Sequence, residues 1–220
     1  KEDEPFRKSE YLYAEEKRIA EEHLEEAWKK RINGASVAIL RPAAITGPRG
    51  RFMRIRFGLQ SALSGQLSGS LIYELISALV SFVPITPKWL RQFIHEDDVV
   101  GIVSHICFGA PVAGYEVFNI CPPGDVVRGK DMARAVKKMI IPVHPWMVCA
   151  AFFFMWHLTR GKVPTGKGAW RGYSYPIAVD GSKVTRALHY EYQHKGFDAF
   201  YYTDGAYEYA VPASLRRRKQ

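Results

Sequence analysis

Cysteine is scarce in this chain. Its 220 residues include only Cys107, Cys121 and Cys149. No two lie close enough in sequence for a zinc knuckle or a disulfide framework, so they read as buried free thiols of a reducing, cytoplasmic compartment. Long apolar runs are also missing. Residues 71–85 are interrupted by Glu74 and Pro84, and a bilayer span takes about 20 apolar residues. Residues 139–158 are richer in aromatics, but Pro142, His144 and Pro145 break their first half. The seven histidines are scattered. His189 and His194 do not share a helical face, so no metal-ligand set is expected. A basic stripe with interleaved aromatics is absent, which removes nucleic acid from the expected partners. Internal repeats and low-complexity tracts are absent as well.

What remains is an ordinary globular composition. Hydrophobic residues make up 47% of the chain, enough for a core in one domain or a domain and a half. The net charge of +9 comes from 31 Lys and Arg against 22 Asp and Glu, with Arg216-Arg217-Arg218-Lys219 adding to it at the end. Partial sampling of a larger molecule accounts for this balance, and attraction to an anionic membrane or phosphorylated substrate is the alternative.

Tyr13 and Lys17 open a helical pattern over residues 9–32, and their spacing puts both side chains on one face. A phenol is a poor acid or base near neutral pH, and an ammonium beside one favours the phenolate. Tyr13, Ala20, Leu24, Ala27 and Trp28 mark an apolar stripe. Glu25 with Lys29 and Glu26 with Lys30 form well-ordered pairs on the wet side, and Asn33-Gly34 stops the helix. Ser36–Arg41, ended by Pro42, suits a buried parallel strand. Gly47-Pro48-Arg49-Gly50 is a turn. In residues 51–90, Arg51, Arg54 and Arg56 alternate with Phe52, Ile55 and Phe57. Asp97 or Asp98 is expected to cap a helix reaching about Cys107, followed by a strand over Tyr115–Cys121 and a helix within Asp125–Met139. Residues 142–215 read as a small helical lobe. Gly161-Lys162-Val163-Pro164-Thr165-Gly166-Lys167-Gly168 nearly spells a phosphate-binding loop. Gly168 stands where a magnesium-binding Ser or Thr is needed, and a helical segment precedes it, so an NTPase site is rejected.

Tyr13-x-x-x-Lys17, the strand and Arg41-Pro42-Ala43-Ala44-Ile45-Thr46-Gly47-Pro48 together resemble the extended short-chain dehydrogenases/reductases, the NAD-dependent epimerase/dehydratase family. Three further blocks in the same order are similar to that family: Arg91-Gln92-Phe93-Ile94-His95-Glu96-Asp97-Asp98-Val99, Tyr115–Ile120, and Val179–Leu188. The resemblance implies an α/β fold, the second half of a Rossmann-like doubly wound parallel sheet with a small, mostly helical substrate lobe. Residues 1–50 and 91–140 would belong to the dinucleotide-binding part, and residues 51–90 and 141–220 to the substrate lobe. It implies NAD or NADP as cofactor and a sugar-nucleotide, steroid-like or other carbinol or carbonyl substrate. Tyr13 would be the general acid/base, Lys17 would bond the nicotinamide ribose, and the backbone of Pro42, Ala43, Ala44 and Ile45 would approach the nicotinamide. Arg91 would contact substrate, while His95, Asp97, Asp98 and Asn119 match mostly structural positions.

The departures are equally specific. The family's Gly-x-x-Gly-x-x-Gly turn has no counterpart here, nor does a catalytic Ser or Thr ahead of Tyr13, so the expectation is a carboxy-terminal portion that is inactive alone. By the same token, the absence of an amino-terminal signal pattern says little about targeting. Ala44 replaces the Asn of sugar-nucleotide epimerases, Glu16 a small Ser, and His189 the Gly after Leu188, which argues against a standard UDP-hexose epimerase. The alternative reading is a catalytically silent relative serving as a binding or scaffold subunit. Residues 146–158, beside Arg160 and Lys162, would then touch a membrane surface peripherally. This insertion looks like the branch of steroid-dehydrogenase-like and atypical epimerase proteins. A homodimer is open to either reading.

Overall fold

A computed structural model describes residues 1–6, 8–31, 34–48, 71, 82–124, 126–135, 139–163, 165–201 and 204–210. The Arg/Phe alternation of residues 51–57, most of residues 71–85 and the basic tail lie outside the described residues.

The first element is α1 (Leu12–Lys29), held by the expected charge pairing on its surface, with Glu25 and Lys29 2.6 Å apart. Its expected apolar stripe is not a core face. No residue of α1 is buried, and Leu24 is exposed while Trp28 is half-buried. The next strand, β1 (Val37–Pro42), pairs in parallel with β6 (Tyr115–Ile120), Val37 opposite Tyr115 and Pro42 opposite Ile120. This is the parallel arrangement the apolar runs suggested.

The chain then changes sheet. β2 (Ala44–Thr46) pairs in parallel with β5 (Phe93–His95). Successive side chains on a strand point to opposite faces, and β5 uses both. Phe93 enters a cluster with Ile85, Trp89, Val127, Met132, Ala199 and Phe200, while Ile94 enters another with Ile102, Phe118, Ile120, Val184 and Leu188. β5 is therefore the partition between two cores. Two smaller ribbons complete the strands. β3 (Phe82–Ile85) runs parallel to β8 (Met139–Pro142), and β4 (Leu90–Arg91) antiparallel to β7 (Val127–Arg128).

Helix α2 (Glu96–Ser104) follows β5 directly and passes into a π-helical turn over His105–Gly109. Its cap corrects the sequence expectation. His95, not Asp97 or Asp98, is the N-cap, and its Nδ1 accepts from the Asp97 N–H at 3.2 Å. After α3 (Gly129–Ala135) the α-helices among the described residues are α4 (Pro145–Leu158), α5 (Ala169–Ser174), α6 (Ser182–Leu188) and α7 (Gly196–Tyr201). Pro145 begins α4 at a position where its missing N–H costs nothing. Helix α6 is tied to β6 by Lys183, which donates to Glu116 at 2.6 Å and to the Val117 carbonyl at 2.8 Å.

Candidate functional site

Three contacts fix how α1 lies on the β1–β6 pair. Near its carboxyl end, the Trp28 indole donates to the Ala35 carbonyl at 3.0 Å and stands 5.5 Å from the Tyr115 ring, at the start of both strands. One face and about two turns earlier, Glu21 accepts from Arg41 Nη2 at 2.6 Å and Nε at 3.2 Å, near the strands' carboxyl ends. The helix therefore runs antiparallel to β1. At 1.5 Å per residue, Lys17 and Tyr13 lie about 6 and 12 Å farther along the helix than Glu21, in the direction of the strands' carboxyl ends. That is where ligands sit in open α/β sheets. The Lys17 ammonium lies 5.6 Å from the centroid of the Tyr13 ring, and Tyr13 is 58% exposed. Among the described residues no carboxylate is bonded to Lys17.

Pro42–Ile45 occupies the changeover between the two parallel pairs. The Ala43 N–H donates to the Ile120 carbonyl at 3.1 Å, and the Ala44 N–H to the Gln92 carbonyl at 3.3 Å. Pro42 and Ile45 are exposed, while Ala43 and Ala44 are half-buried and small. This segment shares the carboxyl end of β1 with Arg41, one helical turn from Lys17 by way of Glu21.

Residues 167–171 meet the same end of α1. Glu10 lies 3.2 Å from Lys167 and 3.7 Å from Arg171. Gly168 adopts φ +82, and a Cβ there would stand 2.7 Å from the Tyr11 nitrogen, so the loop passes flat against the chain entering α1. Behind the loop, α4 and α5 enclose a cavity of about 390 Å³ lined by Cys149, Phe152, Trp156, Thr165, Lys167 and Trp170. Its walls are mostly apolar, with one cation at hand.

Arg91 is differently employed. Its guanidinium donates to the carbonyls of Leu90 at 2.7 Å, Tyr175 at 2.8 Å and Gly172. Burial pulls its pKa down to about 10, which still leaves it charged near neutrality. The structure uses it to brace β4 against the end of α5. Gln92 works alongside it, with Val179 N–H donating to Oε1 at 2.6 Å and Nε2 donating to the Val179 carbonyl at 3.1 Å.

The motif His95-Glu96-Asp97-Asp98 also has defined work. The buried Asp98 carboxylate accepts from the N–H groups of Gln193 at 2.7 Å and His194 at 3.1 Å, and from the Tyr190 hydroxyl at 3.2 Å. Asp97 accepts from Ala206 N–H at 3.0 Å. His95, Asp97 and His194 thereby converge, one ligand-type atom of each lying within 4.8 Å of the others. Spacing along the chain gave no sign of this set, because His194 reaches the other two only through the fold.

No protein-family model matches the sequence, and no curated protein matches it. Solved structures do. A UDP-galactose 4-epimerase matches with a TM-score of 0.53 and 18% identity over 95% of this chain and 56% of its own. The dTDP-glucose 4,6-dehydratase of Bacillus anthracis, solved with NAD, matches with a TM-score of 0.53 and 13% identity over 91% and 53%. The UDP-glucose 4-epimerase of Bifidobacterium longum, solved with NAD+ and UDP, matches with a TM-score of 0.54 and 13% identity over 91% and 55%. This chain thus spans a little over half the length of each, and its α/β fold is similar to that of these epimerases and dehydratases.

Proposed function

We propose that the chain carries the proton-transfer part of a nicotinamide-dependent oxidoreductase or epimerase site. The observation that supports this reading is the docking of α1: the Glu21–Arg41 bond holds the helix against β1, and Lys17 and Tyr13 follow one and two turns farther along it, the Lys17 ammonium 5.6 Å from the Tyr13 ring. The phenol oxygen of Tyr13 would exchange a proton with the substrate's carbinol or carbonyl oxygen. Lys17 holds a positive charge beside that ring, where it stabilises negative charge developing on the phenol oxygen.

The residues present fit one end of an NAD or NADP molecule. Lys17 is an exposed ammonium with no bonded carboxylate among the described residues, suited to ribose hydroxyls, and Ala43 and Ala44 leave a flat approach for a ring at the strand end. The sequence contains no Gly-x-x-Gly-x-x-Gly turn for the pyrophosphate. The cofactor would supply hydride transfer, and the chain's own residues would supply orientation and the proton. In this reading residues 1–50 and 91–140 form the cofactor side, and residues 51–90 and 141–220 the substrate side. The apolar cavity beside Lys167 suits a substrate with a hydrophobic body and favours a steroid-like carbinol over a bare sugar. Arg91 serves as the brace of that side, and would reach a substrate only by leaving the Gly172 and Tyr175 carbonyls.

The test is NAD(H) and NADP(H) binding and carbinol oxidation by the protein expressed from its full reading frame. Lys17→Ala should weaken nicotinamide binding, and Tyr13→Phe should cut turnover by about 10²–10⁴-fold. Turnover untouched by Tyr13→Phe would remove the assignment.

A second reading rests on α4. Trp146, Phe153, Phe154 and Leu158 are 65%, 59%, 68% and 68% exposed on one helix, with the exposed cations Arg160 and Lys162 just beyond it. No described helix is long and apolar enough to cross a membrane. A catalytically silent subunit resting on an anionic lipid surface would use α4 as its contact, the aromatics in the headgroup layer and the cations on the phosphates.

A further inference from the structure

His95, Asp97 and His194 meet as three side chains of metal-ligand type, their ligand atoms within 4.8 Å of one another. The His95 ring is fully buried, and its Nδ1 accepts from the Asp97 N–H. A neutral ring in that role carries its proton on Nε2, which has no partner of normal hydrogen-bond geometry among the described residues. The Nδ1 lone pair is thus turned to the Asp97 N–H, with Asp97 Oδ2 3.6 Å away, and an ion held between Nδ1 and Oδ2 would take the place of that cap bond. The His194 ring closes the third side, 4.4 Å from the His95 ring between centroids.

We propose that His95, Asp97 and His194 form a binding site for a divalent cation of the zinc class. Metal–nitrogen and metal–oxygen bonds of about 2.0–2.2 Å put neighbouring tetrahedral ligand atoms about 3.3–3.5 Å apart, close to the 3.6 Å between Nδ1 and Oδ2. Two imidazoles and one carboxylate suit zinc and leave a fourth position for water. The surroundings fix the donors. Asp98 holds the Gln193–His194 backbone, and Ala206 N–H holds Asp97. Gly205 roofs the site without filling it. A Cβ there would stand 2.8 Å from His95 Cε1 and 3.0 Å from Asp97 Oδ2. The ligands come from β5, the first turn of α2 and the loop before α7, so the ion would cross-link the sheet to the carboxy-terminal segment, away from Tyr13 and Lys17 in sequence and role.

The experiment is titration of chelator-treated, tag-free protein with Co²⁺ and then Zn²⁺. The expected result is one equivalent of Co²⁺ bound with the visible absorption of a four-coordinate ion, displaced by Zn²⁺, and a raised melting temperature. His194→Gln and Asp97→Asn, each checked for native circular dichroism, should weaken binding by more than the roughly 10–100-fold that loss of an outer partner costs. Gly205→Ala should weaken it with all three ligands intact. Absence of stoichiometric Co²⁺ absorption and of any metal-induced stabilisation in the wild-type protein overturns the proposal. Binding unchanged in His194→Gln and Asp97→Asn overturns it equally.

Discussion

Glu21 and Arg41 meet through two hydrogen bonds although twenty positions separate them in the chain, and their side chains are only 15% and 27% exposed. This bond sets the tilt of α1, and the candidate catalytic pair hangs on it. Glu21→Gln should cost about 1–2 kcal/mol of stability, measured by urea unfolding. In a double-mutant cycle with Arg41→Gln the two losses should be strongly non-additive. Additive losses would show that the pair does not position the helix.

Arg91 offers a sharp choice between bracing and substrate binding. As a brace its removal leaves the Gly172 and Tyr175 carbonyls without their donor. Arg91→Ala should then destabilise by about 1–3 kcal/mol, with Arg91→Lys recovering only part because the planar fork is lost. Unchanged stability with a raised KM in the active protein would assign Arg91 to the substrate instead.

His189 ends α6 at φ +52 and ψ 31, a left-handed conformation that glycine adopts freely and other residues adopt at a cost of roughly 1–2 kcal/mol. His189→Gly should raise the melting temperature by about 2–8 °C, since a chain of this size gains roughly 2–4 °C per kcal/mol. His189→Val should lower it. Calorimetry of the three proteins decides.

The exposed aromatics of α4 predict lipid binding that follows chain composition. Co-sedimentation with vesicles rich in phosphatidylserine should exceed that with neutral vesicles and fall with salt, since the cations contribute about 1 kcal/mol each near such a surface. Replacing Phe153 and Phe154 by Ser should abolish it while circular dichroism stays native. Binding indifferent to those two residues would count against α4 as the contact.

The sequence was informative where chemistry is local. Periodicity located α1, β1 and β6, and the breaks at Pro142, His144 and Pro145 confined α4 to the second part of residues 139–158, because these signals depend on neighbours within a turn or two. The same local signals misjudged the face of α1, whose stripe contains Leu24 and Trp28 yet buries nothing. Helical spacing shows which residues share a face but not whether another element covers it. The cap of α2 was missed because a histidine ahead of three acidic residues looks like a spectator, while the φ/ψ of His95 selects it. The His95–Asp97–His194 cluster was invisible for a different reason. Its formation depends on Asp98 gathering the backbone at 193–194, a contact spanning most of a hundred residues.

The β1–β6 pair has a practical consequence. Among the described residues only β6 bonds to β1, so among them the other margin of Val37-Ala38-Ile39-Leu40 has no strand partner along an aliphatic, β-favouring run. Such a margin is a template for adding any extended chain, another molecule of the same protein included. Colloidal behaviour should therefore be governed here more than by the abundant surface charge. Concentrated preparations will self-associate by strand addition unless that margin is occupied, and a lysine at Ala38 would be the economical way to keep them dispersed.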